Sequence, residues 1–154
     1  MLTKILNEND CAGCRLCCGF FKSEIWEVPV IDDDLARLID EKYIPGAEYD
    51  FIGSGRVFKA GYDQNGICFC PALGENGCVL EGDKPFDCKI WPFRVMKLGG
   101  FNVIALSPLC KKVNEKPLSE LVRFVDEELT EKIKARFPAR IKDYVKGYVI
   151  LKVL

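Results

Sequence analysis

The chain has 154 residues, with 22 Lys and Arg, 23 Asp and Glu, nine Cys and no His. This length and an ordinary hydrophobic content of 49% predict one folded domain over residues 1–154 and exclude a disordered chain. A net charge of −1 provides no basic field, so we expect no nucleic-acid partner, and no apolar run is long enough for a membrane span.

The amino-terminal segment "MLTKILNENDC" lacks the apolar stretch and cleavage site of a secretory signal. We therefore expect a cytoplasmic protein. A reducing compartment disfavours stable disulfides, so clustered cysteines indicate metal binding or redox chemistry.

The first half of the chain contains signals for both strands and a helix. The segment "IWEVPV" predicts a short edge strand, and a helix capped by Asp32 or Asp33 should follow and end before Pro45. The segments "RVFKAGY" and "GICFC" flank Asn65-Gly66, a turn signal that predicts a hairpin between them.

The second half begins with a clearer hairpin, in which "FRVMKL" and "FNVIALS" flank Gly99-Gly100. A packing helix is predicted from Ser119 to about Ala135, with Leu121, Val122, Val125, Leu129 and Ile133 on one stripe. A short helix through "RIKDYV" and a strand through "GYVILKVL" close the chain. These elements predict an α+β fold with β-hairpins and packing helices organised around one or more cysteine-ligated metal centres.

The run "CAGCRLCC" at residues 11–18 places four thiols in eight positions. A regular helix would spread these thiols over about 10 Å, so a wrapping loop that uses Gly13 and Gly19 is expected. Adjacent side chains project differently, so Cys17 and Cys18 are not expected to bind one ion together. Three thiols would then surround one centre, while the fourth serves another centre or stands in reserve.

The other thiols are spaced more loosely. Cys68 and Cys70 would point to the same face of an extended strand, and Cys78 follows the turn-prone "GENG". A cysteine set without histidine fits all-thiolate zinc or iron–sulfur coordination.

Three motifs in order, "CAGCRLCC", "CPALGENGCVL" at 70–80 and "KPFDCKIWPF" at 84–93, resemble the CxxCxxCC family of zinc- or iron-chelating domains. The flagellin N-methylases also belong to this family. The resemblance spans residues 11–93, with Cys110 similar to the late cysteine of the family. The metal ligands that it implies are Cys11, Cys14, Cys17, Cys18, Cys70, Cys78, Cys88 and Cys110.

The sequence departs from the family pattern at two points. Cys68 is additional to the usual set and is a further candidate ligand. Lys84 and Lys89 stand where family members often carry arginine, and lysine lacks the forked donors of a guanidinium.

The overlapping C-x2-C-x2-C run favours an iron–sulfur centre with a redox or accessory role. The first alternative is a zinc-binding structural or adaptor protein, including several zinc ions with bridging thiolates. The second, implied by the resemblance, is a component of S-adenosylmethionine-dependent protein lysine N-methylation. Whether the chain is an enzyme, and whether it has a protein partner, stays open at this point.

Overall fold

A computed structural model describes residues 2–7, 14–53 and 55–154, with the backbone alone for Ile25. Helices and strands are both present, which confirms the α+β class. The chain divides into two compact units, which we call the cysteine unit, Glu8–Cys88, and the sheet unit, Met1–Asn7 with Lys89–Leu154. The single domain over residues 1–154 stays a prediction.

The cysteine unit contains three antiparallel two-stranded ribbons, which pair β1 with β4, β2 with β3, and β5 with β6. The strands are β1 Gly19–Phe21, β2 Tyr49–Ile52, β3 Gly55–Phe58, β4 Ile67–Phe69, β5 Leu73–Gly74 and β6 Gly77–Cys78. The helices are α1 Asp33–Leu38, which a π turn at Ile39–Tyr43 extends, and α2 Phe86–Ile90. Short 3-10 turns occupy Leu16–Cys18, Lys22–Glu27 and Glu81–Asp83.

Helix α1 begins where the acidic residues predict. Oδ1 of Asp32 accepts a hydrogen bond of 2.8 Å from the backbone N–H of Leu35, which satisfies a free donor of the first turn. The helix buries Ala36 and Ile39 in a core cluster with Ile31, Phe58, Ala72 and Leu80. The predicted helix and its end before Pro45 are confirmed.

The hairpin predicted across Asn65-Gly66 is wrong, although the turn itself is present. Gly66 has a φ of +72°, and the Asp63 carboxylate accepts hydrogen bonds from the N–H groups of Asn65 and Ile67. Strands β3 and β4 nevertheless pair with β2 and β1 rather than with each other. Backbone hydrogen bonds from Asp63 N–H to Ile67 O and from Gly66 N–H to Asp63 O also close the turn, so the turn does not require its flanking segments to pair.

The strand predicted at 25–30 is also wrong, because Lys22–Glu27 forms 3-10 turns. The apolar residues of this segment serve packing rather than strand pairing. Val28 is buried in a cluster with Phe20 and Val57, against which Cys70 packs.

The sheet unit contains a four-stranded sheet with strand order β10-β8-β7-β9, in which β9 runs parallel to β7. Its strands are β7 Phe93–Leu98, β8 Phe101–Leu106, β9 Lys142–Asp143 and β10 Val149–Val153. The predicted hairpin of β7 and β8 is confirmed, with Leu98 opposite Phe101. Gly99 and Gly100 have φ values of +56° and +91°, which suits a turn that needs two positive φ angles.

The helices of the sheet unit follow the predicted stripe. They are α3 Lys111–Asn114, α4 Leu118–Phe124 and α5 Thr130–Ala135, with a π turn at Val125–Leu129 between the last two. Leu121, Val125, Leu129 and Ile133 are buried as expected, and Val122 is half-buried. The rings of Phe93 and Phe124 lie 5.5 Å apart, which joins the sheet to α4.

The end of the chain confirms one prediction and contradicts another. The last strand is present as β10, and it pairs with β8. The helix predicted through 140–145 is wrong, because Lys142–Asp143 instead extends the sheet beside Met96 and Lys97. The backbone of β7 offers hydrogen-bond partners at this edge, and Tyr144 N–H donates to Lys97 O at 2.7 Å. Within the described ranges, no helix is both long and apolar enough to cross a membrane.

Candidate metal centre

The first cysteine motif is described from Cys14 onward, and Cys11 and Gly13 lie outside the described residues. Arg15 has a φ of +57° and stands before the 3-10 turn Leu16–Cys18, so no regular helix continues through the motif. Its Nη2 atom donates to the backbone oxygen of Glu75 at 2.6 Å. The left-handed residue supports the predicted loop, and the guanidinium ties this loop to the turn that precedes Cys78.

Gly19 differs from its predicted role in turning the chain. Its φ of −106° is open to any residue. A Cβ atom at this position would lie 3.4 Å from the ring of Phe69, which is an ordinary van der Waals contact, so neither the backbone conformation nor the packing requires glycine here.

The sulfur atoms of Cys17 and Cys18 lie close together. The two Sγ atoms are 3.8 Å apart, which differs from the expectation that these adjacent side chains project apart. Two thiolates bound at about 2.3 Å to one tetrahedral ion have sulfurs about 3.8 Å apart. The distance of 3.8 Å equals that spacing, it is also the distance of a hydrogen bond between the two thiols, and it is too wide for a disulfide bond, whose sulfurs are about 2.0 Å apart.

A backbone contact joins this motif to the second cysteine segment. The N–H of Cys70 donates to the carbonyl oxygen of Cys18 at 2.7 Å, directly beyond the Gly19–Phe69 pair of the β1–β4 ribbon. Cys68 lies opposite Phe20 within the ribbon and is buried.

The small β5–β6 hairpin connects Cys78 with the segment that follows Cys70. Within this hairpin, Cys78 lies opposite Leu73. Leu73 N–H donates to Cys70 O at 2.9 Å, and Cys70 and Cys78 both pack against the core cluster of α1. Two short ribbons thus gather thiols from three sequence segments.

The proximity of these thiols changes the pKa of two of them. Contact with Cys18 raises the pKa of Cys17, burial raises it further, and the positive charge of Lys84 opposes the rise. Burial raises the pKa of Cys70 to about 11, and the charges of Cys78, Cys68 and Cys17 add to the rise. The metal-free protein therefore holds Cys17 and Cys70 as thiols, and metal binding must displace their protons.

The remaining predicted ligands are Cys88 and Cys110. Cys88 lies on α2, and its N–H donates to Pro85 O at 3.0 Å. Cys110 belongs to the sheet unit, where it is buried directly before α3, and its carbonyl oxygen accepts from Nδ2 of Asn114 at 2.8 Å.

The thiols of the cysteine unit provide donors for a metal. Cys14, Cys17, Cys18, Cys68, Cys70 and Cys78 are outside any disulfide, so their thiols are available as ligands. Among residues 2–7, 14–53 and 55–154, however, no three Cys, Asp or Glu side chains are close enough to hold one ion. One thiol changes the pKa of another over distances longer than a metal–sulfur bond. Thiols that affect each other's pKa therefore do not by that fact form a complete set of metal ligands. The donor chemistry and the Cys17–Cys18 spacing fit a thiolate-binding metal, while full coordination requires side-chain movement or a further ligand.

Tyr62 is a residue of this region that the sequence reading missed, since it entered only as the end of an expected strand. Its hydroxyl oxygen is buried and has no hydrogen-bond partner among the described residues. Burial of such a group without a partner costs about 1–3 kcal/mol. Burial raises the pKa of Tyr62, and the charge of Cys68 adds to the rise. No spacing signal in the sequence connects Tyr62 to the cysteines.

Tyr62, Cys68 and Cys70 border one cavity, together with Phe20, Val28 and Phe58. The volume of this cavity that the centre of a water molecule can occupy is about 10 Å³, so the cavity has room for about one water.

No protein-family model, curated protein or solved structure matches this chain. The resemblance to the CxxCxxCC family therefore rests on the three sequence motifs.

Proposed function

We propose that this protein binds a metal centre through cysteine thiolates of the cysteine unit, with Cys17 and Cys18 on one metal ion. The supporting observation is the distance of 3.8 Å between their sulfur atoms. Adjacent cysteines reach this spacing only when their side chains turn toward each other, which two ligands of one tetrahedral ion must do.

Cys70 and Cys78 are the next ligands of the proposal. The backbone bond between Cys70 and Cys18 holds these two segments side by side, and the β5–β6 hairpin carries Cys78 to the same core cluster. Cys11 and Cys14 are included among the proposed ligands because of the C-x2-C-x2-C spacing of the first motif. Cys88 joins by the family resemblance, and Cys110, a residue of the sheet unit, stays a prediction of that resemblance.

The leading form of the centre is an iron–sulfur cluster. The C-x2-C-x2-C run is typical of cluster binding, and a two-iron cluster takes two cysteines on each iron, which suits an adjacent pair. Such a cluster would supply one-electron transfer, hence a redox or accessory role.

The surrounding chain has two parts in this proposal. Phe20, Val28 and Val57 form an apolar cluster against Cys70 and so limit water around its sulfur. The positive charge of Lys84 acts on Cys17 and offsets part of the negative charge that several thiolates bring together.

Zinc is the second candidate, and the same observation favours it. A sulfur spacing of 3.8 Å suits a single tetrahedral zinc ion equally well. The protein would then be a zinc-stabilised structural or adaptor domain, in which metal binding contributes to folding. Nothing in the described part of the chain favours the methylation alternative, which remains an expectation of the resemblance.

Anaerobic purification followed by metal and sulfide analysis tests the proposal. Iron with acid-labile sulfide and broad visible absorption supports the cluster, whereas colourless protein with stoichiometric zinc supports the alternative. We expect Cys17→Ser and Cys18→Ser each to lower the metal content. Leu16→Ala is the matched control, because it changes an exposed side chain of the same turn and keeps every thiol. Protein that takes up neither metal during anaerobic reconstitution would overturn the proposal.

A further inference from the structure

Cys68 occupies a position that differs from that of an isolated buried cysteine. It lies opposite Phe20 on β4, and it borders the same cavity as Cys70, two residues further along the chain. Its Sγ–H donates to the carbonyl oxygen of Phe69 at 3.4 Å. The sulfur lone pairs remain able to accept a hydrogen bond.

Tyr62 provides the second observation at this cavity. Its buried hydroxyl is without a partner among the described residues, and Tyr62 lines the same cavity as Cys68 and Cys70. A buried phenol hydroxyl in a native fold normally finds an acceptor. Cys68 and Cys70 are the sulfur-bearing residues of that lining.

Packing alone explains only part of this arrangement. A buried cysteine often acts as a small hydrophobic residue, and this accounts for the burial of Cys68. It provides no protein partner for the hydroxyl, because a neutral thiol is a weak acceptor, and one water in the cavity is the other acceptor that fits. A thiolate accepts strong charge-assisted hydrogen bonds, and a metal converts its cysteine ligands to thiolates.

We propose that Cys68 is a further sulfur ligand of the metal centre and that the Tyr62 hydroxyl donates a hydrogen bond to its sulfur. The inference rests on the proposed function and extends it to a cysteine outside the family set. Tyr62 is thus a positioning residue. Hydrogen bonds to ligand sulfurs hold the ligand in place and tune a cluster's reduction potential.

The ligand role is tested with Cys68→Val in full-length protein prepared without oxygen. Valine keeps an apolar, strand-compatible side chain at this position and removes the sulfur. We expect a lower metal content and altered sulfur-to-metal charge-transfer absorption. Val103→Ala is the control, because it changes a buried strand residue of the sheet unit and leaves all nine thiols. Metal content and absorption equal to wild type in Cys68→Val would overturn the ligand role.

The donor role is tested with Tyr62→Phe, which removes one oxygen atom and keeps the ring. We expect wild-type metal content and a 10- to 100-fold loss of metal affinity, measured by competition with a chelator. For an iron–sulfur form, the midpoint potential should also fall, because a hydrogen bond that favours the more negative reduced state is lost. Tyr144→Phe is the control, since its hydroxyl donates to Tyr148 O at 2.7 Å in the sheet unit. Unchanged affinity and potential in Tyr62→Phe would overturn the donor role.

The outcomes separate this inference from the proposed function. Wild-type protein that binds no metal defeats both. Wild-type protein that binds metal, together with Cys68→Val protein that binds it equally, defeats only the inference. If Cys68→Val does not fold, Cys68→Ala replaces it with a smaller side chain, and Tyr62→Phe still decides the donor role.

Discussion

The backbone N–H of Cys70 donates to the carbonyl oxygen of Cys18 at 2.7 Å and continues the β1–β4 ladder beyond its last pair. This bond places a residue of the first cysteine motif opposite the first residue of the second. The arrangement depends on strand pairing, so packing beneath the β1–β4 ribbon should affect metal binding.

Phe20→Ala tests this dependence. Phe20 lies on β1 and is buried with Val28 and Val57. Its truncation should lower the free energy of unfolding by about 3–5 kcal/mol and weaken metal binding, because the ribbon loses its apolar support. Urea denaturation and chelator competition measure the two effects.

The neighbouring Phe21→Ala is the control, because Phe21 lies on the same strand with its side chain 47% exposed. It should change stability by less than about 1 kcal/mol. Equal losses in the two variants would contradict the packing of β1 described above.

The sequence predicted the elements that local signals specify. Two consecutive glycines located the β7–β8 turn, and an acidic N-cap located the start of α1. Both signals act within a few residues, and the structure has the same elements at these places.

Elements that depend on distant partners could not be read in the same way. Strands β3 and β4 were expected to pair with each other, yet their partners are Tyr49–Ile52 and Gly19–Phe21. Strand preference depends on side-chain packing against whichever strand lies alongside, and local sequence does not specify that strand. The contact of Cys17 with Cys18 and the position of Tyr62 follow from such nonlocal packing, whereas the motif spacings identified the thiols themselves.

The β7–β8 turn gives a second prediction. Gly100 has a φ of +91°, which residues with a Cβ atom rarely adopt, so Gly100→Ala should destabilise the protein by about 1–3 kcal/mol. Thermal unfolding followed by circular dichroism measures the change. Gly82→Ala is the control, since no atom lies within 4 Å of the added methyl group and its φ is outside the left-handed region. A Gly100→Ala protein as stable as Gly82→Ala would show that the turn is not strained by a side chain.

The stability of the metal-free protein should depend on alkaline pH. Folding raises the pKa of Cys70 from 9.0 to about 11, so the unfolded chain loses this proton first. The protonated thiol therefore contributes its full share of stability below pH 9, and this share is lost as the pH rises toward 11. The loss should be on the order of 2–3 kcal/mol.

Urea denaturation of metal-free protein at several pH values, under anaerobic conditions, measures this loss. Other groups also titrate in this range, so the difference in slope between wild type and Cys70→Ala isolates the contribution. The variant should show the smaller decrease in stability between pH 9 and pH 11. A steeper decrease in Cys70→Ala would contradict the raised pKa.

Metal removal should affect the two units differently. In the sheet unit, Phe93, Ile104, Val125, Leu129 and Ile133 are fully buried. Among the described residues of the cysteine unit, six form one buried cluster and three form another, and short ribbons join the cysteine segments. If a metal holds its thiols together, binding energy contributes directly to the stability of this unit.

Hydrogen exchange before and after anaerobic chelation measures that contribution segment by segment. Amides of β1, β4 and the β5–β6 hairpin should exchange at least tenfold faster in the metal-free protein, whereas β7, β8 and α4 should keep their protection. Addition of the original metal should restore the slow exchange. Equal acceleration in both units would indicate that the metal stabilises the whole chain, and no change in either unit would contradict a stabilising metal in the cysteine unit.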